Sequence, residues 1–318
     1  MTARALERIF VAGHRGMVGS AIVRALTARG GAEVVVAPRS ELDLLDEGAV
    51  SDFLQRARPD VVILAAARVG GIQANRQFPA EFLRENLAIQ THVIHHAHRA
   101  GARRLVFLGS SCIYPRQCPQ PMKEEYVLTG PLEPTNEAYA VAKIAGLRMA
   151  QAYHAQHGLE VVCPMPCNLY GTNDNFDLAH AHVLSSLVKR FSDAQAEGRH
   201  EITLWGTGSA RREFLHVDDL ADAVLLLMER WQSPEIINVG SGEDVTIREL
   251  AALVAEATGF RGRVAWDARM PDGMPRKCLD VSRLAALGFR PRVSLREGIA
   301  RTVDEYRTRH RPAAGATA

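Results

Sequence analysis

Tyr139 and Lys143 lie four residues apart, the spacing that places two side chains on the same face of an α-helix. Of the six tyrosines in the chain, only Tyr139 has a lysine at this distance. A phenol held in this way can give a proton to a ketone oxygen while a hydride attacks the carbonyl carbon. A free tyrosine has a pKa of about 10, and we expect the ammonium of Lys143, together with a cationic oxidised nicotinamide, to favour the phenolate form. The pair predicts a hydride-transfer site.

A serine follows the apolar segment Leu105–Leu108, which predicts a buried strand. Active-site residues gather at the carboxyl ends of parallel strands, so the hydroxyl of Ser110 could hydrogen-bond both a carbonyl oxygen and Tyr139. A serine at this place can also act as a turn or cap residue. The hydride-transfer interpretation therefore depends on Ser110 and the Tyr139–Lys143 pair occurring together with a cofactor-binding loop.

Such a loop connects the first predicted strand to the first predicted helix. Its sequence is Gly13-His14-Arg15-Gly16-Met17-Val18-Gly19, with the spacing G-x-x-G-x-x-G. Glycines at this junction let the backbone turn sharply and approach a pyrophosphate, which binds at the N-terminus of the helix. A glycine triplet alone is a weak motif, but its position between strand and helix predicts a dinucleotide site.

The second predicted strand, Val34–Val36, is not followed by the acidic residue that binds the adenosine ribose in NAD enzymes. Arg39 follows it, and the guanidinium groups of Arg39 and Arg15 could bind a 2′-phosphate. This arrangement favours NADP(H) over NAD(H). The alternative is that Arg39 is a solvated loop residue, and Asp43 and Leu44 could then meet the adenine.

Apolar segments alternate with amphipathic segments over the first half of the chain, as in doubly wound α/β proteins. The predicted strands are Ile9–Ala12, Val34–Val36, Val61–Ala65, Leu105–Leu108, Val161–Cys163, Ile202–Trp205 and Ile236–Val239. The predicted helices are Met17–Arg29, Pro79–Ala100, Tyr139–Gln156, Val183–Ala196, Val217–Trp231 and Ile247–Thr258. We therefore predict an α/β fold with a Rossmann-type doubly wound parallel sheet and a smaller C-terminal α/β substrate-binding region.

Two discontinuous units are predicted from this pattern. Residues 1–172 with about 210–240 form the NADP-binding domain, and residues 173–209 with 241–318 form the substrate-binding region. The boundary between the two units is open, because Val217–Val239 could belong to either unit.

Composition excludes several classes of function. The net charge of +2 gives no field for binding nucleic acid. The sequence has no signal peptide and no apolar segment of membrane-spanning length, and its five scattered cysteines suit a reducing compartment, so we expect a cytoplasmic protein. No metal site is predicted, because no carboxylate accompanies the histidines at 92, 95, 96 and 98, which we assign to a packed or solvated helix face.

The motifs already described resemble those of the extended short-chain dehydrogenase/reductase family of nucleotide-sugar enzymes, and within it the GDP-L-fucose synthases. Further matching segments are Gly109-Ser110-Ser111-Cys112-Ile113-Tyr114-Pro115, Glu133-Pro134-Thr135-Asn136, Asn168-Leu169-Tyr170-Gly171, Arg212–Asp219 and Pro275-Arg276-Lys277. The resemblance extends from about Ile9 to Tyr306, nearly the whole chain.

That family converts GDP-4-dehydro-6-deoxy-D-mannose to GDP-L-fucose with NADPH, by epimerisation at C3 and C5 and then reduction at C4. The resemblance implies a reductase triad of Ser110, Tyr139 and Lys143, and an epimerisation acid/base pair of Cys112 and His182. It implies that the GDP-sugar is bound by Arg190, Trp205, Arg212 and Asp272. Beyond the glycine loop, Arg39, Asp43 and Leu44, the implied cofactor contacts are Leu108, Gly109, Lys143, Pro166, Asn168, Leu169 and His182.

Epimerisation next to a ketone needs one proton-transfer group on each face of the sugar, and a thiol and an imidazole both titrate close enough to neutrality. His180 is a rival to His182; if both lay in one helix they would point apart. The chain also departs from the family at Cys167, where threonine is usual, which puts a hydroxyl contact near the nicotinamide in doubt.

Three other interpretations remain open at this stage. The substrate could be a related GDP-4-keto-deoxyhexose. An NAD-retaining nucleotide-sugar 4-epimerase or dehydratase is a different enzyme class, which Arg39 and the Cys112–His182 pair argue against. A non-catalytic dinucleotide sensor would have no use for Ser110, Tyr139 and Lys143 together.

Family members pair through helices like Pro79–Ala100 and Tyr139–Gln156, so the resemblance also implies a homodimer with a four-helix interface.

Overall fold

The computed structural model describes residues 7–178, 180–270 and 272–310. Its strands are β1 (Glu7–Ala12), β2 (Ala32–Val35), β3 (Val61–Leu64), β4 (Arg104–Phe107), β5 (Glu160–Pro166), β6 (Asn168–Tyr170), β7 (Glu201–Trp205), β8 (Arg211–His216), β9 (Ile236–Val239), β10 (Asp244–Thr246), β11 (Arg263–Asp267) and β12 (Arg276–Lys277). Its α-helices are α1 (Met17–Arg29), α2 (Glu47–Ala57), α3 (Ile72–Gln77), α4 (Pro79–Arg99), α5 (Glu137–His157), α6 (Val183–Ala196), α7 (Val217–Arg230), α8 (Ile247–Thr258), α9 (Ser282–Ala286) and α10 (Leu295–Arg309).

Six parallel strands form the main sheet, in the order β2-β1-β3-β4-β5-β9. The strands are short apolar segments, and every residue of β3 is buried, as expected for a sheet covered on both faces. The strand order reverses direction beside β1, which opens a crevice at the carboxyl ends of β1 and β3. The predicted doubly wound parallel sheet is therefore confirmed.

Every helix and strand that the sequence pattern predicted is present, with ends shifted by no more than about three residues. Other elements were not predicted. One is α10, whose buried residues Ile299, Val303 and Tyr306 follow a helical period within a very polar segment. Another is β8, which opens with two arginines although its last four residues are buried.

A smaller mixed sheet has the order β10-β8-β12, with β6 also paired to β8, and β7 pairs with β11 in a separate ribbon. The short β6 lies within the predicted NADP-binding domain, which was expected to extend to residue 172. It nevertheless pairs with β8 of the smaller sheet. Two separate hydrophobic clusters accompany the sheets, one around the six-stranded sheet and one among α6, α8 and α10. The segment Val217–Val239 returns to the main sheet through β9.

Helices α4 and α5 pack closely against each other. The amide of Gln90 donates to the carbonyl of Ala142 at 2.5 Å, and a side chain at Gly146 would overlap Gln90 and Phe107. This close approach fixes the N-terminal part of α5, which carries Tyr139 and Lys143. Within the described residues, no helix combines the length and the apolar character needed to cross a bilayer.

Candidate active site

The glycine loop lies at the crevice between β1 and β3. Gly13 has a φ of +88°, and a Cβ atom on it would lie 2.8 Å from the backbone of Ala66. Helix α1 begins directly after Gly16, with no side-chain cap and no acidic residue in its first turn. The first N–H groups of α1 are thus open toward the crevice, and the loop leaves the space that a pyrophosphate needs.

Arg39 lies beyond the end of β2 and is 77% exposed in its side chain, where it forms an ion pair with Asp43 at 3.3 Å. Asp43 also accepts a hydrogen bond from the backbone N–H of Leu45. The carbonyl of Leu44 bonds to His92 on α4, so this residue is held by its backbone. An exposed guanidinium with a weak surface partner can be redirected to a phosphate.

Ser110 and Tyr139 meet at the carboxyl end of β4, where Ser110 hydrogen-bonds the phenol of Tyr139. The same serine oxygen accepts a hydrogen bond from the backbone N–H of Cys112 at 3.2 Å. The ring of Phe82 meets that of Tyr139 edge-on, with centroids 6.5 Å apart. Ser110 therefore links Tyr139 to the turn that carries Cys112.

Lys143 lies one helical turn below Tyr139 and is buried. Its Nζ donates to the carbonyl oxygen of Leu108 at 2.8 Å and lies 5.9 Å from the centre of the Tyr139 ring. Burial lowers the pKa of Lys143 to about 8. The ammonium is thus held at the end of β4, beneath the phenol.

The pKa of Tyr139 differs from the sequence-based expectation. Burial raises it above the usual value, nearby Cys112 raises it further, and the hydrogen bond from Ser110 lowers it in part. The expected phenolate is therefore not the favoured form of the free protein. A phenol that keeps its proton is nevertheless the form that a reduction needs, because the alkoxide must take a proton from it.

The thiol of Cys112 lies on a single helical turn, Ser111–Ile113, after β4. It accepts a hydrogen bond from Asn136 Nδ2 at 3.3 Å, and Lys277 Nζ lies 3.7 Å from its sulfur. Neither Asn136 nor Lys277 was assigned a role from the sequence, although both belong to quoted motifs. Their contacts with Cys112 join separate parts of the chain, which no local spacing could reveal.

The structure separates the two candidate histidines. His182 is the residue before α6, and its pKa is lowered, first by desolvation and then by the charge of Lys277. His180 bonds to Asp177 at 2.8 Å, and its carbonyl accepts from the N–H of Gly71. Neither lies inside a helix, so the argument from helical spacing does not apply, but only His182 shares Lys277 with Cys112.

Three of the four residues implied for GDP-sugar binding come together. Trp205 ends β7 with 60% exposure, next to the turn at Gly206 and Thr207. Asp272 accepts hydrogen bonds from the backbone N–H and the hydroxyl of Thr207, at 2.7 and 2.6 Å. Burial lowers the pKa of Arg212, and Asp272 offsets this effect. The Asp272 carboxylate thus already holds the loop beside Trp205.

Arg190 lies on α6, two turns beyond His182, and its guanidinium contacts the carbonyl of Thr203 on β7 at 3.4 Å. It is therefore placed between His182 and the strand that ends at Trp205. A cation at this point suits a diphosphate that extends away from the sugar.

The remaining positions implied for the cofactor lie where β4 and β5 end. Leu108 and Gly109 follow β4, and a side chain on Gly109 would overlap Met165. Pro166 ends β5, and Asn168 with Leu169 begins β6, where the Asn168 amide donates to the carbonyl of Glu213 at 2.8 Å. These positions line the same edge of the sheet as Ser110.

Cys167 is buried between β5 and β6. Its sulfur lies 3.7 Å from the carbonyl of Asn168, a weak contact within its own backbone turn. Burial raises the pKa of this thiol well above its usual value, so it remains neutral. It provides packing at a position where the family usually has threonine.

Comparison with known proteins identifies the family of this chain. The model of the NAD dependent epimerase/dehydratase family matches residues 9–240. GDP-L-fucose synthase 1 of Arabidopsis thaliana is 55% identical over 94% of this chain and 93% of its own length. GDP-L-fucose synthase of Escherichia coli K12 is 50% identical over 93% and 95%.

A solved structure extends the comparison to the cofactor. MlghC of Campylobacter jejuni, described as a GDP-mannoheptose C4 reductase with NADP bound, superposes with a TM-score of 0.87. It is 34% identical and covers 96% of this chain and 99% of its own. With the glycine loop, the Ser110–Tyr139–Lys143 site and these matches together, the chain belongs to the NAD-dependent epimerase/dehydratase family, among the GDP-L-fucose synthases.

Proposed function

We propose that the protein converts GDP-4-dehydro-6-deoxy-α-D-mannose to GDP-β-L-fucose with NADPH, by C3/C5 epimerisation followed by reduction of the C4 ketone. The observation that carries the proposal is the double contact of Ser110, which hydrogen-bonds Tyr139 and receives the N–H of Cys112. One serine thereby places a reductase acid and a thiol in the same site. High identity to the named GDP-L-fucose synthases supports the substrate.

The residues present fit a dinucleotide cofactor. Gly13 and Gly19 leave space that a Cβ atom would fill, and the open start of α1 offers N–H groups to a pyrophosphate. Arg39 would bind the 2′-phosphate, and the edge formed by Leu108, Gly109 and Asn168 would hold the nicotinamide end. NADPH, when bound, supplies the hydride for C4.

Epimerisation requires removal of a proton from C3 or C5, which the neighbouring C4 ketone acidifies. In the proposed reaction the sulfur of Cys112 takes this proton, and the electron pair of the broken C–H bond moves into the C4–O group as an enolate. The hydroxyls of Ser110 and Tyr139 can donate hydrogen bonds to the enolate oxygen. His182 then returns a proton to the opposite face, and its lowered pKa makes its imidazolium form a stronger acid.

Reduction follows at the same oxygen. When hydride reaches C4, the phenol of Tyr139 gives its proton to the developing alkoxide. The elevated pKa of Tyr139 keeps that proton in place until then. Lys143 stabilises the phenolate that remains, from its place beneath the ring.

The test is incubation with GDP-4-dehydro-6-deoxy-D-mannose and NADPH in D₂O, with the product identified by NMR. We expect GDP-L-fucose carrying deuterium at C3 and C5. The variant Cys112→Ser should lose most of this deuterium incorporation, whereas Cys118→Ser should retain it. Absence of NADPH oxidation by the wild type would refute the proposal, and a C4-reduced product with C3 and C5 unchanged would indicate a simple GDP-sugar reductase.

We also propose a homodimer in which α4 and α5 of two subunits form a four-helix interface. The support is the tight packing of α4 on α5 and the 42% exposure of Val141 on the outer part of α5. Light scattering should give twice the chain mass of 34.8 kDa. A monomer mass would refute this assembly.

A further inference from the structure

Lys277 brings a positive charge to Cys112 from a distant part of the chain. Its Nζ lies 3.7 Å from the sulfur, across 165 residues of sequence. Lys277 is carried by β12, which pairs in parallel with β8 and places Lys277 opposite Arg212. The next residue back, Arg276, is exposed and forms an ion pair with Asp244 instead. The strand pairing therefore directs one of two adjacent cations to the thiol.

A second donor reaches the same sulfur. Asn136, the residue before α5, donates through Nδ2 at 3.3 Å. Its Oδ1 is buried without a hydrogen-bond partner among the described residues, so the amide is held by its nitrogen side only. An ammonium and an amide N–H directed at one sulfur form an environment that stabilises negative charge.

Other titratable groups surround this pair. Tyr139 lies close enough to Cys112 for a charge on the sulfur to raise the pKa of the phenol. His182 and Cys118 both respond to the charge of Lys277. Lys277 is thus the cation shared by the candidate acid and the candidate base, and its removal should change both.

We propose that Lys277 is a positioning residue whose ammonium, 3.7 Å from the sulfur, stabilises the thiolate form of Cys112, the form that takes a proton from the sugar. The inference rests on the proposed function for the identity of that proton. In the reaction, an S–H bond forms as the C–H bond breaks, the electron pair passes to the C4 oxygen, and the sulfur later loses the proton to water. Lys277 keeps its own proton throughout.

The ionisation of the thiol can be measured without any substrate, from the pH dependence of alkylation by iodoacetamide. The measurement is made in a Cys118→Ser background, because Cys118 is the other partly exposed cysteine and the remaining three are buried. Peptide mass spectrometry confirms that Cys112 is modified. The variants are Lys277→Met, Lys277→Gln and Lys277→Arg, with Arg276→Met as the matched control on the same strand.

Lys277→Met and Lys277→Gln should move the alkylation midpoint to higher pH and reduce the thiolate fraction below the midpoint by about fivefold or more. A unit charge about 4 Å away has at least this effect even in bulk water. Lys277→Arg should keep most of the wild-type profile, and Arg276→Met all of it. Thermal unfolding of each variant, and absence of label on buried Cys163, show that the protein is folded.

Unchanged midpoints in both neutral variants would overturn the proposal, as would an equal shift in Arg276→Met. With the GDP-sugar, Lys277→Met should slow deuterium incorporation at C3 and C5 near neutral pH and recover at higher pH, where the thiol ionises unaided. If the alkylation midpoint shifts but no variant, including wild type, turns over the GDP-sugar, the proposed function fails while the role of Lys277 stands.

Discussion

At the scale of single residues, Ser110 lies between the groups proposed for two reactions on the same sugar. Its oxygen contacts the phenol of Tyr139, which we propose for the reduction, and the backbone N–H of Cys112, whose thiol we propose for the epimerisation. The enolate of one reaction and the alkoxide of the other carry their charge on the same C4 oxygen. A single hydroxyl can therefore stabilise both charges.

Tyr139→Phe should reduce the rate of NADPH oxidation by about 10²- to 10⁴-fold, the range typical for loss of a general acid. NADPH affinity should remain close to that of the wild type, because the phenol is assigned to proton transfer and not to cofactor binding. Stopped-flow absorbance and fluorescence titration measure the two quantities. Tyr153→Phe is the control on the same helix, since Tyr153 bonds to His95 away from the site. Near-normal turnover by Tyr139→Phe would remove its acid role.

Arg39→Ala should weaken NADPH binding by about 10-fold or more while NADH binding changes little, because a charge-assisted bond to the 2′-phosphate is lost. The expected difference should shrink at high salt, since Arg39 is exposed. Titration of both cofactors measures it. Arg29→Ala, an exposed arginine that pairs with Glu229, is the control. Equal weakening of NADPH and NADH would return Arg39 to the class of solvated loop residues.

Local spacing was enough to predict that Tyr139, Lys143 and Ser110 lie together, because a helical turn and a strand end are properties of neighbouring residues. Lys277 was missed because only the pairing of β12 with β8 brings it to Cys112. In the protein without cofactor, the pKa of Tyr139 is raised and not lowered. Burial dominates the pKa of the phenol, and the ammonium is bound to the carbonyl of Leu108.

At the scale of elements, the junction of β1 and α1 depends on glycines that leave no side chain between closely packed backbones. A Cβ atom at Gly19 would overlap the carbonyl of Gly13, which accepts the N–H of Gly16 within the loop. The first turn of α1 can therefore approach β1 only if residue 19 is glycine. The spacing of the glycines predicted this junction correctly, since it is set by a few consecutive residues.

Gly19→Ala should abolish measurable NADPH binding while leaving the protein folded, because the loop must move out of its pyrophosphate-binding form. Calorimetric titration with NADPH is the measurement, and circular dichroism verifies the fold. Gly48→Ala, in the first turn of α2, is the matched control. That change should preserve binding and be neutral or slightly stabilising, as alanine favours a helix over glycine by about 1 kcal/mol. Wild-type affinity in Gly19→Ala would contradict the assignment of the loop.

At the scale of the whole molecule, Glu213 joins three segments. Its carboxylate on β8 accepts the N–H of Gly242 after β9 at 2.7 Å and the N–H of Leu279 after β12 at 2.8 Å. It is completely buried, and burial raises its pKa from 4.5 to about 7. The acid thus ties the smaller sheet to the last strand of the main sheet, and neither its burial nor these partners follow from local sequence.

The shifted pKa predicts how stability depends on pH. Because the folded protein binds the Glu213 proton more tightly than the unfolded chain does, ionisation costs stability from pH 4.5 upward and the cost is complete above about pH 7. For a pKa raised from 4.5 to about 7, the full loss of folding stability is about 3 kcal/mol. Relative to Glu213→Gln, the wild type should therefore gain stability as the pH falls from 8 to 5.

Urea unfolding of both proteins at several pH values measures this difference. The substitution also removes an acceptor for one of the two backbone N–H groups, so Glu213→Gln should be less stable than the wild type at pH 5. For Glu243→Gln, a change at an exposed residue next to Gly242, the stability should run parallel to that of the wild type at all pH values. Parallel curves for Glu213→Gln would show that the buried carboxyl does not titrate in this range.

The pairing of β9 with β5 has a consequence for synthesis of the chain. Between the end of β5 at Pro166 and the start of β9 at Ile236 lies the whole of α6, β7, β8 and α7. A growing chain therefore completes five strands of the main sheet and leaves the edge of β5 without its partner until β9 has left the ribosome. An uncovered apolar edge is prone to pair with other chains. Nascent chains that stall between these two strands should consequently aggregate, whereas chains released after β9 should not.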